Sequence, residues 1–200
     1  MRKAVLAALL ASFAFVVLAP AHASAQSRSD PTGFHAGLYL NGSAITYEGS
    51  DEAESGGGYG LTLGWGLTNL VTLYLEGSGA QVETLDGSDT YTLGHFDVGA
   101  RVNFLAPYKR WRPFATVGLS GRAAEGDVGG AIVTLSGTGL TVGGGVAYFI
   151  SRKIAVDLGL KWTAGDFTDA ELNDVAVDID PIGATSARFD LGVAYWHGRR

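Results

Sequence analysis

The chain has 200 residues, 30 of them glycine, no cysteine and a formal charge of −6. The acidic balance argues against nucleic acid as a partner. The lack of cysteine removes disulfides as a source of stability, and the glycine content does not suit a helical domain.

Residues 1–25 read as a secretory signal peptide. Arg2 and Lys3 precede an uncharged apolar run from Ala4 to Ala19, then Pro20 and two small-residue sites, Ala21-His22-Ala23 and Ala23-Ser24-Ala25. The run is short for a membrane span of about 20 residues. Cleavage is expected after Ala25; it removes Arg2 and Lys3 and takes the charge from −6 to −8. No cysteine follows, so the signal is not of the lipoprotein type. Residues 26–32 form a short lead-in to one domain spanning 33–198.

Beyond the signal no apolar run reaches the length of a membrane helix, and the dominant hydrophobic period is two. Eight amphipathic strands are predicted. The first, 34–43, sets Phe34, Ala36, Leu38 and Leu40 against His35, Gly37, Tyr39, Asn41 and Ser43. The second, 59–65, sets Tyr59, Leu61, Leu63 and Trp65 against Gly60, Thr62 and Gly64. The third, 70–78, sets Val71, Leu73 and Leu75 against Thr72, Tyr74, Glu76 and Ser78. The fourth, 95–104, sets Phe96, Val98, Ala100, Val102 and Phe104 against His95, Asp97, Gly99, Arg101 and Asn103.

The fifth, 113–122, sets Ala115, Val117 and Leu119 against Phe114, Thr116, Gly118, Ser120 and Arg122. The sixth, 138–150, sets Leu140, Val142, Val146, Tyr148 and Ile150 against Thr141, Gly143, Gly145, Ala147 and Phe149. The seventh, 154–163, sets Ile154, Val156, Leu158, Leu160 and Trp162 against Ala155, Asp157, Gly159, Lys161 and Thr163. The eighth sets Phe189, Leu191, Val193 and Tyr195 against Arg188, Asp190, Gly192, Ala194 and Trp196.

Connections alternate between short turns (67–69, 106–111, 151–153) and longer polar loops, the longest at about 166–185. An even number of such strands, with tight turns at one end and loops at the other, predicts an all-β fold: an eight-stranded antiparallel up-and-down transmembrane β-barrel. In that fold the apolar face meets lipid and the polar face lines the lumen. The polar face carries a balanced charge set, Glu76, Asp97, Asp157 and Asp190 with Arg101, Arg122, Lys161 and Arg188. Pairing would avoid the cost of isolated buried ions. Three stretches, at 97–99, 157–159 and 190–192, share a D-x-G pattern, in which the glycine is expected to leave the acid room.

The apolar face ends at the short-turn side in Phe34, Trp65, Phe104, Tyr148 and Tyr195, a periplasmic aromatic girdle. At the other end Trp162 fits a second girdle, but Tyr47 and Tyr91 fall off parity unless bulges intervene. The short turns and C-terminus carry Lys109, Arg110, Arg112, Arg152, Lys153, Arg199 and Arg200. The loops carry Asp51, Glu52, Glu54, Asp86, Asp89, Glu125, Asp127, Asp169, Glu171, Asp174, Asp178 and Asp180. Those loops are either simply solvated or meet divalent cations at a lipopolysaccharide surface.

The strand RPFATVGLSG, the hairpin GGGVAYFISRKIAVDLGLKW and the closing RFDLGVAYW resemble the small eight-stranded outer-membrane β-barrel proteins, the OmpA-like/OmpX-like group. The resemblance covers the whole mature chain. It implies a monomer in the bacterial outer membrane, in contact with lipid and lipopolysaccharide and inserted by the barrel-assembly machinery. That machinery reads a C-terminal strand signal, matched here by Asp190, Gly192 and Tyr195. His197 and Gly198-Arg199-Arg200 stand where the family usually ends in Phe.

The leading expectation is a non-enzymatic barrel with a salt-bridged lumen, structural or acting through its loops. The alternative is a narrow, porin-like solute or ion channel. A lipid-modifying enzyme using Ser120, His95 and Glu76 is less favoured, because these residues face the lumen and not lipid. No cofactor and no metal site are expected; Asp174, Asp178 and Asp180 lack EF-hand spacing.

Overall fold

The computed structural model describes residues 31–104, 110–173 and 175–198. The signal segment 1–25, and with it Lys109, Asp174, Arg199 and Arg200, lies outside the described residues. The strands are β1 Gly33–Tyr47, β2 Glu54–Gly66, β3 Val71–Glu83, β4 Thr90–Asn103, β5 Trp111–Val128, β6 Ala131–Phe149, β7 Ile154–Leu172, β8 Val175–Val177 and β9 Ile182–His197. Each pairs antiparallel with the next along β1 to β7. β7 pairs with β9, and β9 with β1, which closes the wall. β8 pairs with the end of β7 outside that ring. The result is a closed all-antiparallel barrel of eight strands.

The register sets its dimensions. One row of paired residues runs from Thr72 through Arg101, Thr116, Gly143, Lys161, Arg188, Ser43 and Gly56. It returns to β3 at Val82, ten residues beyond Thr72. Eight strands with that stagger tilt by about 40° and leave a backbone radius of about 8 Å. Side chains from opposite walls therefore meet in the middle.

The predicted parity holds on every strand, and it is inverted relative to a soluble barrel. Leu38 is 71% exposed and Leu119 66%, whereas Asp97 is fully buried and Arg188 almost so. An apolar outer belt around a charged interior is stable only in lipid, where closed pairing also satisfies every strand's backbone.

The strands extend further than the hydrophobic pattern suggests. β5 continues beyond 122, β6 begins before 138 and β7 runs beyond 163, so these three have 18, 19 and 19 residues against 13 to 16 in the rest of the ring. β5 and β6 join through Gly129 and Gly130, both at positive φ (65° and 89°). That two-residue turn type needs the left-handed conformation at both positions, which glycine adopts without steric cost. The 166–185 segment, expected to be a loop, holds the end of β7, all of β8 and the start of β9.

The lumen is filled in three layers. At the short-turn end Phe149 and Trp196 pack with Ala147, Ala155 and Ala194. At the hairpin end Ile45, Ala80, Val82, Leu93, Ala124, Phe167 and Ala184 form a second apolar cluster. Tyr47 and Tyr91 pack against this cluster, so they point inward and no upper girdle forms from them. Seven luminal charges, Glu76, Asp97, Arg101, Asp157, Lys161, Arg188 and Asp190, lie between the two layers.

Candidate functional site

The middle layer is a cage of ion pairs. Arg188 Nη2 is 2.7 Å from Asp97 Oδ2, Lys161 Nζ is 2.9 Å from Asp190 Oδ2, and Arg101 Nη1 is 2.6 Å from Asp157 Oδ2. Glu76 takes a second contact from Lys161 and a longer one, 3.7 Å, from Arg188. Thr141 Oγ1 donates to Asp97 Oδ1, and Arg188 also donates to Thr163 Oγ1. Seven of the eight residues expected in the network are joined in this way. The eighth, Arg122, sits above them: it donates to the Ala184 carbonyl at 3.0 Å and stacks over the Phe167 ring at 4.8 Å.

The glycines of the D-x-G stretches have a different role from the one expected. At Gly99 and Gly192 the space goes to a neighbouring strand's backbone carbonyl and tyrosine, Val117 with Tyr74 and Leu38 with Tyr39, and not to the acids. A Cβ on Gly99 would fall 2.8 Å from Tyr74 Oη, and one on Gly192 would fall 2.5 Å from Tyr39 Cβ. Gly60, opposite Tyr39 on the other side, is equally filled by the phenol. Only Gly159 has Asp190 among its neighbours, at an ordinary 3.8 Å and alongside Phe114.

Below the cage, His35 stacks on Trp196 with ring centroids 4.1 Å apart, and Arg101 lies 3.7 Å from the Phe114 ring centroid. Arg112, buried at this level, donates to the Asn69 carbonyl. A chamber of about 60 Å³ remains between cage and floor, lined by Thr72, Tyr74, Thr116 and Asp157 among others. It has room for a few water molecules. Of the floor residues, Trp196 and Phe149 lie on the inward face expected for them, whereas Arg112, expected in a short turn, is inside β5 and buried. The signal of Trp196 and Phe149 was bulk on the luminal parity at one end of the strands.

The Ser/His/acid combination does not assemble. His95 Nε2 lies 2.9 Å from Ser186 Oγ, Glu76 is held by Lys161 and Arg188, and Ser120 is registered opposite Asp97. On the outside, Phe34, Trp65, Phe104 and Tyr195 are exposed at the short-turn end, and Tyr148 is half-buried against Trp111 at 4.7 Å.

The hairpin end is asymmetric. β5, β6 and β7, extended by β8, rise as a wall on one side of the rim. Cross-strand rows fix its two faces. Leu93, Ala124, Leu135, Ala170 and Val177 share a row on the inner face, and Tyr91, Gly126, Val133, Leu172 and Val175 share the next. The outer face carries Thr92, Glu125, Thr134, Glu171 and Ala176. On the β3–β4 turn, hydrogen bonds from Thr84 and Ser88 hold the Asp86 carboxyl below its usual range. Among the described residues no exposed lysine or arginine lies at this end.

The fold has clear counterparts. Neisserial surface protein A superposes with a TM-score of 0.67 at 17% identity, covering 83% of this chain and 98% of that one. Ail, the attachment invasion locus protein of Yersinia pestis, gives 0.56 at 14%, covering 82% and 98%. OprG from Pseudomonas aeruginosa gives 0.57 at 11%, covering 84% and 97%. No curated protein matches the sequence. The model of the outer membrane protein beta-barrel domain matches residues 11–195, almost the full length. The chain belongs to the outer-membrane β-barrel protein family.

Proposed function

We propose that this protein is a non-enzymatic, monomeric outer-membrane barrel with a sealed lumen, acting through the structure it raises at the hairpin end. The observation that carries this reading is the filling of the lumen in three successive layers: the Trp196 floor, the ion-pair cage and the Ile45–Phe167 roof. A solute would have to displace all three. The chain is exported with cleavage after Ala25 and inserted by the barrel-assembly machinery through its β9 strand. The short turns, with Arg152 and Lys153, face the periplasm, and the acidic rim faces outward amid lipopolysaccharide and its divalent cations.

An epitope inserted between Gly129 and Gly130 tests the orientation. Antibody should label intact cells; labelling only after permeabilisation contradicts it. Liposome swelling tests the seal. Vesicles carrying the folded protein should swell in small sugars no faster than empty ones, and rapid swelling would favour the channel reading.

A further inference from the structure

The apolar inner face of the raised wall does not end where the roof ends. Leu93 and Ala124 are buried in the roof, Leu135 packs on its edge, and the same rows then continue into the open. Leu172 is 43% exposed, Val177 46% and Val175 65%. This face is a continuous apolar strip leading from a packed interior to solvent, above the lipid-facing belt. An exposed strip of this kind on a surface otherwise polar marks a contact site.

Its surroundings carry one sign of charge. Asp178 follows Val177 and Asp180 comes two residues later, Glu54 accepts from Tyr91 at 2.6 Å, and Glu125 and Glu171 stud the back of the wall. The bases nearest this strip in the fold, Arg122 and Arg188, are buried in the lumen. An occupant must therefore offer apolar side chains to the strip and positive charge to the acids around it. A neutral apolar molecule would leave the acids unanswered. An acidic partner would be repelled.

We propose that the inner face of the β5–β8 wall docks a cationic amphipathic peptide segment, with its apolar side chains against Leu172, Val175 and Val177 and its basic ones toward Asp178 and Asp180. This rests on the reading that the barrel works through its hairpin end.

The test uses the full-length folded protein in zwitterionic nanodiscs, with empty nanodiscs as the blank. The probe is a short fluorescent peptide of lysine and leucine patterned to be amphipathic, and a lysine-only peptide of equal charge is the comparison. The amphipathic peptide should bind at least about tenfold more tightly than the lysine-only one, and its affinity should fall with added salt. Leu172→Asn with Val175→Asn should weaken it about tenfold, and so should Asp178→Asn with Asp180→Asn. These positions are exposed, and a heat-modifiable gel shift verifies that each variant is folded. Equal binding of the two peptides, or binding indifferent to the Leu172/Val175 change, would overturn the proposal. Liposome swelling stays at the blank level in either case if the seal is sound, so the two readings fail separately.

Discussion

Asp157 pairs with Arg101 on β4 and not with Lys161, four residues along its own strand. Residues four apart in a strand stand about 13 Å apart, beyond the reach of an ion pair. Asp97 and Arg101 are likewise four apart on β4, whereas Arg188 and Asp190 are two apart on β9 and each still takes its ion pair from another strand, so the pairing closes on itself. The β4 acid Asp97 meets the β9 base Arg188, the β9 acid Asp190 meets the β7 base Lys161, and the β7 acid Asp157 meets the β4 base Arg101. β4 is thereby tied across the lumen to the neighbouring strands β7 and β9.

This exchange predicts which charges couple. Asp97 and Arg188 are both almost fully buried, so losing one partner strands the other and should cost about 3–5 kcal/mol. In a double-mutant cycle measured by urea titration in lipid vesicles, Asp97→Asn with Arg188→Met should cost clearly less than the sum of the single changes. Asp97→Asn with Arg101→Met should be additive to within about 0.5 kcal/mol. Coupling between Asp97 and Arg101 as large as between Asp97 and Arg188 would contradict the exchange.

The glycines divide by what fills the space beside them. A methyl on Gly192 meets the Leu38 carbonyl at 2.3 Å and Tyr39 Cβ, whereas a methyl on Gly159 meets nothing nearer than 3.8 Å. Gly192→Ala should destabilise by about 1–3 kcal/mol. Gly159→Ala should be neutral or stabilise by up to about 1 kcal/mol, since alanine orders more cheaply in a strand. The same vesicle titration separates the two, and equal effects would remove the distinction.

Parity, closure and the sign of each face were legible in the sequence because lipid imposes them over ten or so residues of each strand. The limits of that pattern explain what was not. Above the lipid the constraint reverses: Ile45, Tyr47, Val82, Leu93 and Phe167 continue the luminal parity as apolar residues, while Glu83, Thr92 and Glu125 face outward into water. A membrane-strand template stops at that reversal, which gives the wall the sequence pattern of loops. The eight charged positions were legible one by one as luminal. Their partners were not, because every pair joins two strands, and the two pairs that reach β4 depend on a stagger accumulated around the ring. The role of Gly99 and Gly192 was hidden for the same reason: the carbonyls and tyrosines that crowd them belong to other strands.

The roof should be costly to remove. Phe167 is fully buried and carries the Arg122 guanidinium on its face. Phe167→Ala should cost about 3–5 kcal/mol in the vesicle titration. An effect under about 1 kcal/mol would show that this cluster does not pack as a core.

The proposed barrel is sealed at floor and roof. Current through single folded molecules in a planar bilayer tests it most directly, with wild type compared against Trp196→Ala with Phe167→Ala. The wild type should pass no steady current across the working voltage range, and the doubly truncated barrel should show discrete opening events. Stable ohmic steps from the wild type, unchanged by the double truncation, would contradict the sealed barrel.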